Sequence, residues 1–361
     1  MHLVIVAGAR PNFMKVAPII KEIKKRAGVG YSLIHTGQHY DKEMSNQFFD
    51  ELGIPEPNVN LGAGGGSQAE QTAAIMIGFE KYITNSELFI DCVIVVGDVT
   101  STLACTIVAK KLNIKVAHVE GGIRSGDMTM PEEINRMVTD SISDYFFTTS
   151  RIANENLSKS GVSKERVFFV GNTMIDTLLS NLEKLKQPAI WKNEGLKNKK
   201  YVVLTMHRPS NVDDGSQFKL LIELIINHLE STKIIFPVHP RTKKVLDELN
   251  INSDNLIISR PLGYLEFNYL VKNAMAVITD SGGITEEATV LGIPCITLRN
   301  STERPETCDV GTNELAGTDT NKIIVLLDRL KSGKWKKGGI PELWDGKTAE
   351  RIIDNLESVL K

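Results

Sequence analysis

A chain of 361 residues with 42% hydrophobic side chains, 24% charged ones and a formal net charge of -2 can bury two cores and has an ordinary soluble make-up. No broad basic field points to nucleic acid, no apolar run approaches membrane-spanning length, and a strand that starts at once after Met1 leaves no room for a leader, so a cytoplasmic location is expected. Cys92, Cys105, Cys295 and Cys308 have no metal-ligand spacing, and the first three lie in apolar segments that suit free, buried thiols.

Leu3 to Ala7 reads as a strand, and Gly8 to Asn12 as its turn into a helix running from about Phe13 to Arg26. Glycine there lets a ligand approach the backbone, and Arg10 and Lys15 set two cations beside the helix entrance, either as an anion site or as a solvated surface pair. A GxGxxG pattern is missing, so a dinucleotide fingerprint is not expected. The next strand, Tyr31 to Thr36, ends in Gly37-Gln38-His39-Tyr40-Asp41, a polar cluster placed for ligand contacts or merely hydrated. Met44 to Leu52 can form a short helix. The glycine-rich run from Leu61 to Gly66 predicts a mobile connection or one that orders over a ligand, before a helix capped by Ser67 with Glu70 at the capping-box position.

Two apolar runs, Val93 to Val96 and Val116 to Val119, flank a helical segment from Thr102 to Leu112. Such a strand, helix, strand unit brings Asp98 and Glu120 out at the carboxyl ends of neighbouring parallel strands, where open α/β sheets place ligands. Thr100, Ser101 and Thr102 can satisfy amides at the helix entrance or meet an anion there. His118, inside an apolar strand, reads as a packed, hydrogen-bonded histidine. Pro131 is placed to start a helix carrying Glu132, Glu133, Asn135 and Arg136, although acids at a helix start need no chemistry to explain them. The backbone at Glu120-Gly121-Gly122 is expected to be loose. Strand Tyr145 to Thr149, helix Ile152 to Ser160, strand Val167 to Val170 and a helix from Met174 to Leu185 complete a first domain.

The lysine-rich stretch 184–200 suits an interdomain connection, and a second alternation of strands and helices follows. Strands are read at Tyr201 to Thr205, Ile234 to Val238, Asn255 to Ile258, Ala276 to Thr279 and Cys295 to Leu298. The expected fold class is therefore α/β, with two Rossmann-like domains facing across a cleft: residues 1–185 joined by a C-terminal helix 348–361, and residues 186–347. His207 and His239 stand at strand ends, the latter also readable as a buried structural imidazole. Asp280-Ser281-Gly282-Gly283 leads from strand to helix and forms an anion cradle, since free amides and the helix dipole point at the loop. A sugar next to such an anion would come near Glu287, whose carboxylate can accept two hydroxyl hydrogen bonds, and Arg299 and Arg304 flank a further loop.

The segments GARPNFMKVAP, TGQHYD, VGDVTSTLA, HVEGGIRSGD, MPEEINR, GNTMID, HRPSN, DSGGITEEA and TERPET occur in one order along the chain. In this the chain resembles the non-hydrolysing UDP-N-acetylglucosamine 2-epimerases over essentially its whole length. The resemblance implies GT-B architecture, UDP bound mainly by the second domain, and reversible elimination and re-addition of UDP through 2-acetamidoglucal. Asp98, Glu120 and Glu132 would then move protons, and Arg136 would orient them. His207, with Arg10 and Lys15, would hold charge on the departing UDP. Ser281 and Gly282 would bind phosphate, Glu287 ribose, and Arg304 would complete the nucleotide site or its loop. Gln38, His39 and His239 match positions of a site for a second UDP-N-acetylglucosamine that acts as activator. A homodimer is implied, and no cofactor or metal. HVEGG for the common HVEAG, and HRPSN for HRREN, leave open a modified UDP-sugar such as a 2,3-diacetamido-glucuronate, or a hydrolysing 2-epimerase. A GT-B glycosyltransferase is a further alternative.

Overall fold

The computed structural model of the protein describes residues 1–37, 49, 51–238 and 240–361. Gln38, His39, His239 and most of the helix read over 44–52 lie outside them. The chain divides into two compact units, Met1–Ser180 with Glu342–Lys361, and Asn181–Pro341.

The first unit is a parallel sheet of β1 (His2–Ala7), β2 (Gly30–His35), β3 (Val59–Asn60), β4 (Cys92–Val96), β5 (Lys115–Val119), β6 (Tyr145–Thr148) and β7 (Val167–Phe169). Its order is β3-β2-β1-β4-β5-β6-β7. Val93, Val95 and Val116 meet Ala104, Cys105 and Val108 of the helix Thr100–Lys111 in one core, which is why these strands read as continuous apolar runs. The order reverses between β1 and β4, and the loops that leave their carboxyl ends splay apart there.

The second unit repeats the plan with β8 (Tyr201–Thr205), β9 (Lys233–Pro237), β10 (Leu256–Ser259), β11 (Ala276–Thr279), β12 (Cys295–Thr297) and β13 (Asn313–Leu315), in the order β10-β9-β8-β11-β12-β13. Its reversal falls between β8 and β11. The stretch read as an interdomain connection carries packed structure of its own. A helix, Ala189–Asn193, carries Trp191 edge-on against Tyr201 at 5.6 Å and Tyr269 at 5.4 Å.

The helix Thr348–Val359 belongs to the first unit, with Ile352, Ile353 and Leu356 buried. Asp176 accepts the N–H groups of Thr348 at 3.1 Å and Ala349 at 2.7 Å, so a buried carboxylate closes the end of this helix. Arg26 pairs with Asp354 at 2.8 Å, and the buried Trp344 donates to the Thr149 carbonyl at 3.3 Å. The glycine-rich run is likewise built into the fold. Ala63 N–H donates to the Thr36 carbonyl at 2.8 Å, and a Cβ on Gly64 would lie 2.5 Å from the Gly37 carbonyl oxygen, so two backbones touch where glycine alone fits.

Candidate active site

At the switch point of the first sheet, the buried Asn12 ties two loops together. Its side-chain oxygen accepts from Ala9 N–H at 3.0 Å, and its amide donates to the Val96 carbonyl at 3.0 Å. Two residues beyond Val96, the Asp98 carboxylate is paired with the Arg136 guanidinium, while Asn135 donates to the Asp98 carbonyl at 2.8 Å. Arg136 and Asn135 project from the helix Pro131–Ile142, which starts with proline and two acids.

The two acids have different roles. Glu132 is half-buried, and its carboxylate makes no ion pair or hydrogen bond with a described residue. Glu133 is buried and accepts from Arg136 at 2.8 Å, Ser125 N–H at 2.9 Å, Ser125 Oγ at 3.0 Å and Gly126 N–H at 3.2 Å. Burial opposes its charge, but these donors outweigh it and hold its pKa below the usual carboxylate value. Arg136 is thus gripped by Glu133 while it holds Asp98. Sequence reasoning set Glu133 aside as a helix-start acid. Helical phase alone does not separate it from Glu132, since both lie within reach of Arg136; the loop at Ser125 and Gly126 grips Glu133.

Val96 and Val119 are register partners in β4 and β5, so Glu120 leaves the sheet beside Asp98. Glu120 has a left-handed backbone, φ +70°, and its peptide N–H donates to the Phe147 carbonyl at 2.8 Å. A non-glycine residue held in this region costs about 1–3 kcal/mol and marks a place where the surroundings over-determine the backbone. Lys15 reaches the Glu120 carboxylate at 2.7 Å, with both side chains largely buried. Of the two cations expected at the first helix entrance, Lys15 is therefore not a solvated surface charge. Arg10 opens the helix Arg10–Ile23, and Lys15 serves the carboxylate. The expected looseness at Gly121-Gly122 is overturned as well. Gly122 N–H donates to Asp140 at 3.1 Å and its carbonyl accepts from Asn156 at 2.9 Å. At Gly122, φ +81°, a Cβ would fall 2.3 Å from the Ala153 carbonyl oxygen. Here glycine permits a tight approach of the helix Arg151–Lys159. Of the three residues at the next helix entrance, Thr102 uses its hydroxyl to donate to the Val96 carbonyl at 2.8 Å.

At the second switch point, His207 follows β8 and Asp280 follows β11. Asp280 is fully buried and accepts from the N–H groups of His207 and Arg208, each at 2.9 Å, and from the Asn211 amide at 3.2 Å. Its other oxygen lies 2.8 Å from His207 Nδ1, on a ring whose side chain is 59% exposed. Burial would raise the Asp280 pKa, but His207 and the backbone donors pull it below the usual range. The sequence places Asp280 before the serine and glycines without showing this role. An acid directly after an apolar strand, as Glu120 is after β5, is the signal for it.

Ser281 caps the helix Gly282–Val290 through its backbone, with no side-chain cap bond and no acidic residue in the first turn. A Cβ on Gly282 would meet nothing nearer than Arg299 at 3.9 Å, so packing does not dictate glycine there. Glu287 is buried, and burial pushes its pKa up to about 7 although Asn268 donates to it at 3.3 Å. Arg304 is locked on the buried Glu286, which makes it a fastener of the loop. Arg299 forms a two-pronged pair with Glu303 at 2.7 and 2.8 Å. Next to it, both carboxylate oxygens of Glu306 are buried with no partner among the described residues, and burial pushes its pKa up to about 7. No group of three or more His, Cys, Asp or Glu among the described residues is arranged to hold a metal ion, and no helix among them is long and apolar enough to cross a membrane.

Two parallel α/β units, one with carboxylate–cation pairs at its switch point and one with a glycine and helix junction beside a His–Asp pair, define a sugar-nucleotide enzyme of the GT-B class. The chain belongs to the UDP-N-acetylglucosamine 2-epimerase family, whose model matches residues 21–357. It is 43% identical to the UDP-N-acetylglucosamine 2-epimerase of Methanocaldococcus jannaschii over 98% of each chain. It is 35% identical to the UDP-2,3-diacetamido-2,3-dideoxy-D-glucuronate 2-epimerase of Pseudomonas aeruginosa over 99% of each. A crystal structure of the M. jannaschii enzyme in complex with UDP-GlcNAc and UDP superposes with a TM-score of 0.88 at 42% identity, covering 99% of this chain and 100% of that one.

Proposed function

We propose that the protein interconverts UDP-N-acetylglucosamine and UDP-N-acetylmannosamine by a non-hydrolysing, redox-neutral route that needs no cofactor. The observation that carries this reading is the pairing of Asp98 with Arg136 and of Glu120 with Lys15 at the ends of adjacent strands. A carboxylate takes the proton from C2 as the C1–O bond breaks and its electron pair leaves with UDP, giving 2-acetamidoglucal. UDP then adds back to C1 while a carboxyl group returns a proton to the opposite face of C2. Inversion needs a proton-handling group on each face, and Asp98, Glu120 and Glu132 supply them. Arg136 keeps Asp98 aimed, and Lys15 does the same for Glu120.

Charge that develops on UDP is met by His207 and Arg10, which lower the barrier to the extent that they bind the leaving group more tightly than intact substrate. Ser281 and Gly282 hold phosphate, Glu287 takes the ribose hydroxyls, and Arg304 keeps the loop beside them in shape. A second UDP-N-acetylglucosamine would act as activator through Gln38, His39 and His239. The protein is proposed to work as a homodimer; the exposed apolar side chains Ile77, Ile134 and Met137 of the first unit suit such a contact.

Proton NMR in deuterated water tests the reading. UDP-N-acetylmannosamine should form from UDP-N-acetylglucosamine with deuterium at C2; release of free sugar and UDP would mean hydrolysis instead. The relative from P. aeruginosa supports a second reading, the same chemistry on a 2,3-diacetamido-glucuronate, and C2 exchange on that UDP-sugar alone would establish it.

A further inference from the structure

Beneath the carboxylates lies a pair that no step above uses. His118, on β5, and Asp140, on the helix Pro131–Ile142, are both buried. The His118 ring sits with Nδ1 2.7 Å from Asp140 Oδ1 and Nε2 2.8 Å from the Gly97 carbonyl oxygen. A carbonyl has no hydrogen to give, so Nε2 donates. Two lone pairs facing each other at 2.7 Å would repel, so a second hydrogen lies between Nδ1 and Oδ1, and it is carried by the imidazole, the stronger base of the two. The other Asp140 oxygen accepts from Gly122 N–H at 3.1 Å and from Arg124 at 2.6 Å. Asp140 and Arg124 are the charged groups in contact with this cluster, and Glu120, paired with Lys15, stands two residues on from His118, just past the end of β5.

We propose that the proton-bridged His118–Asp140 pair is a positioning device that holds the Asp98 and Glu120 loops in a single relative geometry. Gly97 immediately precedes Asp98, and Gly122 follows Glu120 by two residues. One imidazole and one carboxylate therefore clamp the backbone on both sides, and Gly97 N–H closes the frame on the Val119 carbonyl at 3.0 Å. Burial works against charge on Asp140, yet His118 and Arg124 outweigh it and keep its carboxyl below the usual range, consistent with a carboxylate fully engaged by donors. The inference rests on the proton-transfer roles given to Asp98 and Glu120, because a slip of either loop would re-aim a carboxylate at C2. A misplacement of about 1 Å at a reacting centre costs about a hundredfold in rate.

Ring nitrogen NMR of the intact protein tests the pair directly. Two ring N–H signals should belong to His118 and vanish together in His118→Gln; a single ring N–H would overturn the assignment even if every variant failed to fold. Deuterium entry at C2 tests the positioning role. His118→Gln should lose about a hundredfold in kcat with KM changed less than about threefold. Asp140→Asn can still donate to a neutral imidazole and accept from Gly122 N–H, so it should recover most of what Asp140→Ala loses. Folded His118→Gln and Asp140→Ala proteins with unchanged kcat would overturn the proposal. If the native protein exchanged no hydrogen on either UDP-sugar, the functional reading would fall, and the ring signals would still decide the pair.

Discussion

Asp280 holds His207 twice, through the ring at 2.8 Å and through the backbone N–H at 2.9 Å. The first contact leaves Nε2 as the free edge of the ring, and the second fixes where the ring starts. Replacing Asp280 with Asn should preserve the backbone contact and weaken the charged one. In similar His–Asp arrangements this lowers turnover by orders of magnitude, and a fall in kcat of about a hundredfold or more is expected here, with UDP affinity changed much less. Steady-state kinetics of Asp280→Asn beside UDP titration would check it. Equal losses in both would show that Asp280 merely shapes the nucleotide site.

Gly282→Ala separates packing from ligand approach. The nearest neighbour of the added Cβ is 3.9 Å away, so thermal stability should stay within about 0.5 kcal/mol of the native protein. A methyl group where phosphate meets backbone amides should cost about 1–2 kcal/mol of UDP binding, roughly five- to thirtyfold. Calorimetric titration with UDP would read the loss, and unchanged affinity would remove Gly282 from the phosphate site.

Gly122→Ala should behave in the opposite way. A Cβ 2.3 Å from the Ala153 carbonyl, on a backbone with φ +81°, can be accommodated only by moving the helix Arg151–Lys159. A loss of about 2–4 kcal/mol is expected in urea unfolding. A stable variant would mean that this backbone is as loose as the two adjacent glycines suggest.

Glu306 gives stability a pH dependence of known sign. Its folded pKa, near 7, lies above the ordinary carboxyl value of 4.5, so the folded chain keeps a proton that the unfolded chain gives up. This contribution is full below about 4.5 and is lost as pH rises through about 7. Glu306→Gln cannot ionise and should therefore be more stable than the native protein above pH 7, by about 1–3 kcal/mol, with the difference fading towards pH 4.5. Unfolding at several pH values would show this, and a variant destabilised equally at all of them would contradict it.

The strands around Asp98 and Glu120 were readable because both are buried runs: β4 carries valine and isoleucine without a break, and β5 sets Val116, Ala117 and Val119 around a packed histidine. Their neighbouring placement followed from the crossover rule. Placing β1 beside β4 was not readable, because that pairing joins residues some ninety positions apart and leaves no local trace. The difference between Glu132 and Glu133 was hidden for a related reason. Both are acids in the first turn, and only the position of the loop at Ser125 and Gly126 decides which is gripped. Glycine was the most misleading letter, since at Gly122 and Gly64 it serves contact where it suggested freedom.

The helix Thr348–Val359 has a consequence for how the chain is made. It supplies part of the core of the first unit, and Asp176 waits in that unit to close its end. Everything from Asn181 to Pro341 leaves the ribosome in between. The later-synthesised unit can thus complete itself first, while the earlier one stays unfinished until the last helix emerges. Its exposed Asp176 and the uncovered surface beside Trp344's seat make that interval the time when the nascent chain most needs protection from aggregation.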